Sequence, residues 1–185
     1  MPFIETGFKG LKIFEPRVFA DSRGYFFESY NKKSFEEAGI NADFVQDNES
    51  RSQRGVLRGL HYQLGEMAQA KLIRVVDGEV LDVVVDIRVG SPTYGKNYGI
   101  VVSAENKRQL FIPRGFAHGF LVLSDTCIFQ YKCDNYYSKE SEGGIHYNDP
   151  ALNINWGADI SNATVSDKDL VLPLFKDCVN SFVFE

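Results

Sequence analysis

The sequence predicts an all-β sandwich or barrel, and three observations carry that prediction. From residue 55 to residue 133, short runs rich in Val, Ile, Leu and Phe follow one another at close spacing, separated by turn residues. Within Glu79 to Arg88 the alternation is strict: Val80, Asp82, Val84 and Asp86 fall on one side, and Leu81, Val83, Val85 and Ile87 on the other. The clearest helix, from Asn31 to Ala38, has under three turns and reads as a connector.

Taken in order, Lys9 to Phe14 and Tyr25 to Tyr30 read as strands around a turn at Asp21-Ser22-Arg23-Gly24. In the second of these, Phe26, Glu28 and Tyr30 would share a face. The helix follows, with Asn31 as its cap, capping-box spacing at Ser34 and Glu37, and Gly39 to end it. Phe44 to Asn48 reads as a short strand running into polar residues. Lys71 to Val76 is a strand, and Asp77-Gly78 is a two-residue hairpin signal before Glu79 to Arg88. Gly90 to Thr93 is a loop. Tyr98 to Ser103, Gln109 to Ile112, Gly119 to Leu123 and Thr126 to Cys133 complete the β region. The tail from Tyr136 is loop-rich. In it Asn153 to Trp156 reads as a short edge strand, and Ser166 to Leu170 as a short helix capped by Ser166, with Asp169 at its third position.

The 185 residues suit one domain, 1–185, with an N-terminal arm over about 1–30 and a core over about 45–135. A hydrophobic content of 44% and 15 Phe allow a substantial core. A net charge of −5 argues against nucleic acid as a partner, so an anionic small ligand needs a local basic cluster. No apolar run is long enough to span a membrane, and Met1 to Glu5 is no signal peptide. Three cysteines, without metal-ligand spacing, fit free thiols in a reducing cytoplasm.

The stretch Gly55-Val56-Leu57-Arg58-Gly59-Leu60-His61-Tyr62-Gln63 stands out. Its glycines and apolar residues fit a strand approached closely by other backbone. Arg58, His61 and Gln63 then need partners, because an unsatisfied buried polar group costs of order 1–3 kcal/mol. The spacing Gly55, His61, Gln63 resembles the first motif of the cupin jelly roll, and Pro113-Arg114-Gly115-Phe116-Ala117-His118 resembles the second. Metal-binding cupins carry a second histidine where this chain has Gln63, and a glutamate near Met67, Ala68 and Gln69. His61 and His118 alone make a poor divalent site. The expectation is a cupin-like jelly-roll β-sandwich with a few short peripheral helices and no catalytic metal. In such a pocket a histidine can move protons, better with a carboxylate behind it. A nearby cation could stabilise an enolate and a tyrosine could return the proton.

Val56 to Gln63, Lys71-Leu72-Ile73-Arg74-Val75, Pro113 to Phe120, and Tyr131-Lys132 followed by Tyr136-Tyr137 closely resemble the dTDP-4-dehydrorhamnose 3,5-epimerase family. So do Gln46-Asp47-Asn48, Val85 to Arg88 with Ser91-Pro92-Thr93, and Ser166 to Asp169, in order over nearly the whole chain. The resemblance implies inversion of carbons 3 and 5 of dTDP-4-dehydro-6-deoxy-D-glucose, giving dTDP-4-dehydro-L-rhamnose, without a cofactor. His61 matches the general base, Asp169 its dyad partner, Tyr131 the opposing acid, and Lys71 the residue at the keto oxygen. Arg23, Glu28, Gln46, Asp47, Asn48, Arg58, His118, Glu142 and Lys168 match substrate contacts, and Phe26 and Tyr137 parts of the wall or stacking surface. The family's homodimer, which exchanges N-terminal strands, is implied too. Taken alone, His61 reads more readily as a satisfied core histidine, Asp169 as a helix-start carboxylate, and Tyr131 as a strand aromatic. A single-carbon epimerase, a metal-dependent cupin and a non-catalytic sugar-nucleotide binder stay open as alternatives.

Overall fold

The computed structural model describes residues 2–184. Its strands are β1 (Phe3–Glu5), β2 (Lys12–Phe14), β3 (Phe19–Asp21), β4 (Gly24–Phe26), β5 (Gln46–Gln53), β6 (Leu57–Gln63), β7 (Lys71–Asp77), β8 (Glu79–Asp86), β9 (Asn97–Ser103), β10 (Gln109–Ile112), β11 (Phe116–Val122), β12 (Thr126–Cys133) and β13 (Glu142–Gly144). Two short helices, α1 (Lys32–Glu37) and α2 (Asp167–Leu170), accompany them. One sheet runs β1-β2-β10-β7-β12-β5 and the other β13-β6-β11-β8-β9, all antiparallel. This is the expected jelly-roll sandwich.

The two sheets bury one shared core. Ile73 and Val75 of β7, Leu110 and Ile112 of β10, and Phe129 of β12 meet Val80, Val84, Ile100, Val102, Phe116 and Phe120 of the facing sheet. Alternation puts the other side of each strand outward, and each outer face has its own cover. Leu57, Leu60, Val83, Val85 and Leu121 pack under the tail residues Ile145, Leu152 and Trp156. Phe14, Leu72 and Phe111 pack under Phe35 of α1 and Ile40. Asn31 caps α1 by accepting from Ser34 N at 3.4 Å, and Gly39, at φ +79°, ends it.

Three stretches depart from the sequence reading. The strand expected over Tyr25 to Tyr30 stops at Phe26, because beyond it Ser29 and Tyr30 bind elsewhere. The Ser29 carbonyl accepts from Gln109 Nε2 at 2.7 Å, and the Tyr30 ring packs at a tilt against Phe35 and edge-on against Phe44. Asn153 to Trp156 is no strand. Asn153 takes a left-handed φ of +45°, and the Trp156 indole N–H donates to the Tyr147 carbonyl at 3.1 Å, turning the chain inward. The short strand at Phe44 to Asn48 is instead β5, eight residues with the sequence QDNESRSQ. It has no apolar alternation because its inward side chains line a polar cavity.

Candidate active site

One end of the sandwich interior is polar. There the inward positions of β5, β6, β7, β11 and β12 line a cavity of about 650 Å³, closed on one side by residues 164–169. Asn48, Arg58, His61, Lys71, His118, Tyr131, Lys168 and Asp169 all reach it. Arg58 and His61 share this face although they are three residues apart, which strict alternation forbids. The reason lies between them. The β6–β11 register shifts between His118 and Phe120, opposite Gly59. A Cβ on Gly59 would lie 2.6 Å from Gly119 Cα, and one on Gly119 2.6 Å from the Arg58 carbonyl oxygen. Glycine is thus required at both positions, and the irregularity re-aims the strand.

The same irregularity builds the dyad. His61 Nε2 lies 2.7 Å from Asp169 Oδ1, and the Gly59 N–H donates to Asp169 Oδ2 at 3.1 Å. Ser166 caps α2 by accepting from Asp169 N at 3.2 Å, which fixes where the carboxylate stands. Burial alone pushes the Asp169 carboxyl up. The His61 hydrogen bond and charge, with the Gly59 and Ser166 contacts, outweigh it and hold the group below the usual carboxylate range. An ionised Asp169 can only accept, so the hydrogen-bond network assigns the proton to His61 Nε2 and the lone pair to Nδ1.

Lys71 and Tyr131 stand on neighbouring strands, the ammonium 5.6 Å from the ring centroid. Burial pushes Lys71 down from the ordinary lysine range and pushes Tyr131 up. The phenol therefore keeps its proton at neutral pH. Arg58 donates to Ser52 Oγ from Nη2 at 3.1 Å and from Nε at 3.3 Å and remains exposed to the cavity. With Lys71 and Lys168 it supplies the local positive charge that the net acidic chain requires. His118 is directly opposite His61 across the β6–β11 pair, and its Nε2 is 2.8 Å from Asp82 Oδ2.

Other expected contacts lie at the rim. Glu142 is the node of a strap: it accepts from Tyr137 OH at 3.0 Å and pairs with Lys168. Burial would push its carboxyl up, but these two partners hold it down. Gln46 accepts from Tyr137 N at 3.2 Å and donates to Asn48 Oδ1 at 3.1 Å. Gln63, where metal cupins have a histidine, accepts from Ser138 N at 2.9 Å and so tethers the same strap. Asp47 faces away, paired with Lys132 at 2.9 Å on the outer side of the sheet.

Arg23, Phe26 and Glu28 do not reach the cavity within one chain. They sit on or beside the β3–β4 hairpin, where Arg23 pairs with Asp21 at 2.6 Å and Phe26 is 70% exposed. Asp82, buried behind His118, is a residue whose role the sequence reading passed over. Its signal was present: a carboxylate on the same face as Val80 and Val84 has no reason to be there unless something buried needs it.

Comparison with known proteins gives one family. The family model for dTDP-4-dehydrorhamnose 3,5-epimerase matches residues 5–177. A dTDP-4-dehydrorhamnose 3,5-epimerase of Shigella flexneri is 58% identical over 171 residues, covering 92% of this chain and 93% of the relative. The crystal structure of the Elizabethkingia anophelis enzyme of that name superimposes with a TM-score of 0.91 at 55% identity, over 95% of this chain and 96% of the other. The Legionella pneumophila dTDP-6-deoxy-D-glucose-3,5-epimerase, in complex with dTDP-4-keto-L-rhamnose, gives a TM-score of 0.90 at 53% identity, over 95% and 93% of the two chains.

Proposed function

Because the chain belongs to the dTDP-4-dehydrorhamnose 3,5-epimerase family, we propose that its cavity carries out the family's isomerase reaction with His61, Asp169, Lys71 and Tyr131. The activity is dTDP-4-dehydrorhamnose 3,5-epimerisation, a step of dTDP-rhamnose biosynthesis. The substrate is a dTDP-4-keto-6-deoxysugar. The observation that carries the assignment of roles is the His61–Asp169 pair at 2.7 Å, set in a cavity that also holds Lys71 and Tyr131.

The roles follow from the chemistry. Carbons 3 and 5 both flank the keto group, so their hydrogens are weakly acidic. His61 Nδ1 takes one such proton, and Asp169 stabilises the resulting imidazolium through Nε2–H. The electron pair moves onto the keto oxygen, where the Lys71 ammonium meets charge that develops only on the way to the enolate. Tyr131 then gives its proton to the opposite face of the same carbon, which inverts it. The imidazolium and the phenolate left behind lose and regain one proton each through solvent. One enolate-stabilising group serves both carbons, since each is adjacent to the same carbonyl.

Arg58 and Lys168 suit the diphosphate, the former by its fork of donors. Asn48 and His118 face the sugar, and Gln46, Glu142 and Tyr137 bound its entrance. Asp47 lies on the outer sheet face and would act from there only against a second chain. We extend the same reading to Arg23, Phe26 and Glu28. Strands β1 and β2 pair within the chain's own sheet, while the β3–β4 hairpin is left uncovered with Phe19, Tyr25 and Phe26 exposed. An exchanged arm in a homodimer would cover those aromatics and bring Arg23 to a partner's cavity. Among the described residues no helix is long and apolar enough to cross a membrane. We place the enzyme in the cytoplasm, where free thiols such as Cys127, Cys133 and Cys178 stay reduced.

The direct test is the product. Incubation with dTDP-4-dehydro-6-deoxy-D-glucose, followed by NMR coupling analysis of the sugar ring, should give the sugar inverted at both carbons. Inversion at one carbon would make it a single-carbon epimerase, and an unchanged sugar would reject the assignment.

A further inference from the structure

Asp82 and Asp86 fall on the same face of β8, and both are fully buried. Asp86 is saturated: Arg88, Ser91 and Thr93 all donate to it. Asp82 is not. Its Oδ2 meets His118 Nε2 at 2.8 Å, and its Oδ1 is buried with no hydrogen-bond partner among the described residues. Val80 and Val84, on either side of it, show what a purely structural residue looks like on this face. A half-satisfied buried carboxylate beside a catalytic cavity calls for a functional account.

We propose that Asp82 is a positioning residue of the epimerase reaction: it holds His118 with Nε2 protonated, and it places a buried negative charge within electrostatic reach of Lys71. The inference rests on the epimerase assignment given above. Its first half follows from donor and acceptor roles. An ionised carboxylate accepts from Nε2–H, so His118 keeps its Nδ1 lone pair. The ring can then accept from a sugar hydroxyl but cannot donate to the keto oxygen, and that task falls to Lys71.

The second half follows from the groups around Lys71. Burial drives its ammonium toward the neutral form, and Cys133 and Tyr131 on β12, Asp82 on β8 and Glu142 on β13 surround it. Cys133 is pushed up to about 11 by burial, and Tyr131 is pushed up as well, so neither carries charge at neutral pH. Glu142 is already paired with Lys168. The Asp82 carboxylate has His118 as its one hydrogen-bond partner among the described residues and no lysine or arginine pairs with it, so its charge is the one left to favour the Lys71 ammonium.

The test is Asp82→Asn, with its folding checked by circular dichroism and its dTDP affinity by calorimetry. Lys71 must be protonated to act, so its loss of a proton contributes to the alkaline limb of the kcat–pH profile, and burial draws that contribution toward lower pH. Removing a neighbouring opposite charge should move that limb to lower pH by about one unit, with dTDP affinity changed by less than about twofold. A limb at the wild-type position, with kcat uniformly reduced, would overturn the electrostatic role. Nitrogen-15 NMR of the unmodified protein reads the His118 tautomer without any substitution. Protonation at Nε2 supports the proposal and protonation at Nδ1 overturns it, whether or not Asp82→Asn folds. Absence of turnover in the wild type would reject the epimerase assignment and leave the tautomer result standing by itself.

Discussion

Asp169→Asn isolates the charge of the dyad from its shape. The carboxylate, 4% exposed, accepts from two donors, His61 Nε2 at 2.7 Å and the Gly59 N–H at 3.1 Å. An asparagine has one acceptor oxygen for these two donors. The backbone N–H cannot be re-aimed, so the oxygen stays with Gly59 and the amide NH₂ turns to His61. Nε2 must then accept, the ring proton moves to Nδ1, and the base loses its lone pair on the substrate side. Losing a hydrogen bond to the imidazolium removes about 1.5–3 kcal/mol, roughly a 10- to 150-fold effect. The reversed tautomer takes the total toward about 10⁴-fold, the scale seen where a base is held in the wrong tautomer by the same substitution. The assay is deuterium uptake at carbons 3 and 5 in heavy water, with dTDP affinity measured alongside. Affinity should hold within about threefold, because Asp169 stands behind His61 rather than over the nucleotide. Retention of more than about a tenth of the wild-type exchange rate would refute the dyad reasoning.

Four further outcomes follow from the structure. Tyr131→Phe should spare solvent exchange more than inversion, because reprotonation by His61 from its own face returns the starting sugar; equal loss of both, read by NMR on one sample, would count against separate base and acid. Arg23→Ala and His61→Ala chains, unfolded and refolded together, should recover about a quarter of wild-type activity through mixed dimers with one intact site, and none if Arg23 acts within its own chain. Asp86→Ala should destabilise the fold by about 3 kcal/mol or more, since it strands the Arg88 guanidinium in a nearly closed site. Asp86 also has a pH signature: burial pushes its carboxyl up, but Arg88, Ser91 and Thr93 outweigh this and hold it below 3.8 in the folded state. Its contribution is therefore present above that value and fades as pH falls through the folded-state pKa. Asp86→Asn should flatten this acid limb of the thermal unfolding midpoint.

The sandwich was legible because its strands bury one face, and burial writes period-two patterns. Val80 to Ile87 reads as a strand from alternation alone. β5 does not, because Asn48 and Ser50 face a polar cavity and Ser52 accepts from Arg58, and alternation fails where the inside is polar. The dyad was legible only through resemblance: His61 and Asp169 are 108 residues apart, and their meeting depends on the Gly59–Gly119 crossing and the Ser166 cap. Ser166 and the position of Asp169 in α2 could be read locally, since a capping box is a local device. Trp156 could not, because a tertiary hydrogen bond to Tyr147 overrode the extended preference of its neighbours. Asp82 was visible in the pattern as a charge on an apolar face, and its importance appears only once His118 is seen beside it.

The most direct test of the central claim is isotopic. The protein is incubated with dTDP-4-dehydro-6-deoxy-D-glucose in heavy water, with no reductase present, and deuterium is followed by NMR and mass spectrometry. Base catalysis by His61 beside a ketone predicts uptake at carbons 3 and 5, with both signals lost in His61→Ala while dTDP still binds. Uptake that persists in His61→Ala would contradict the account, because the proton would then be leaving to some other group.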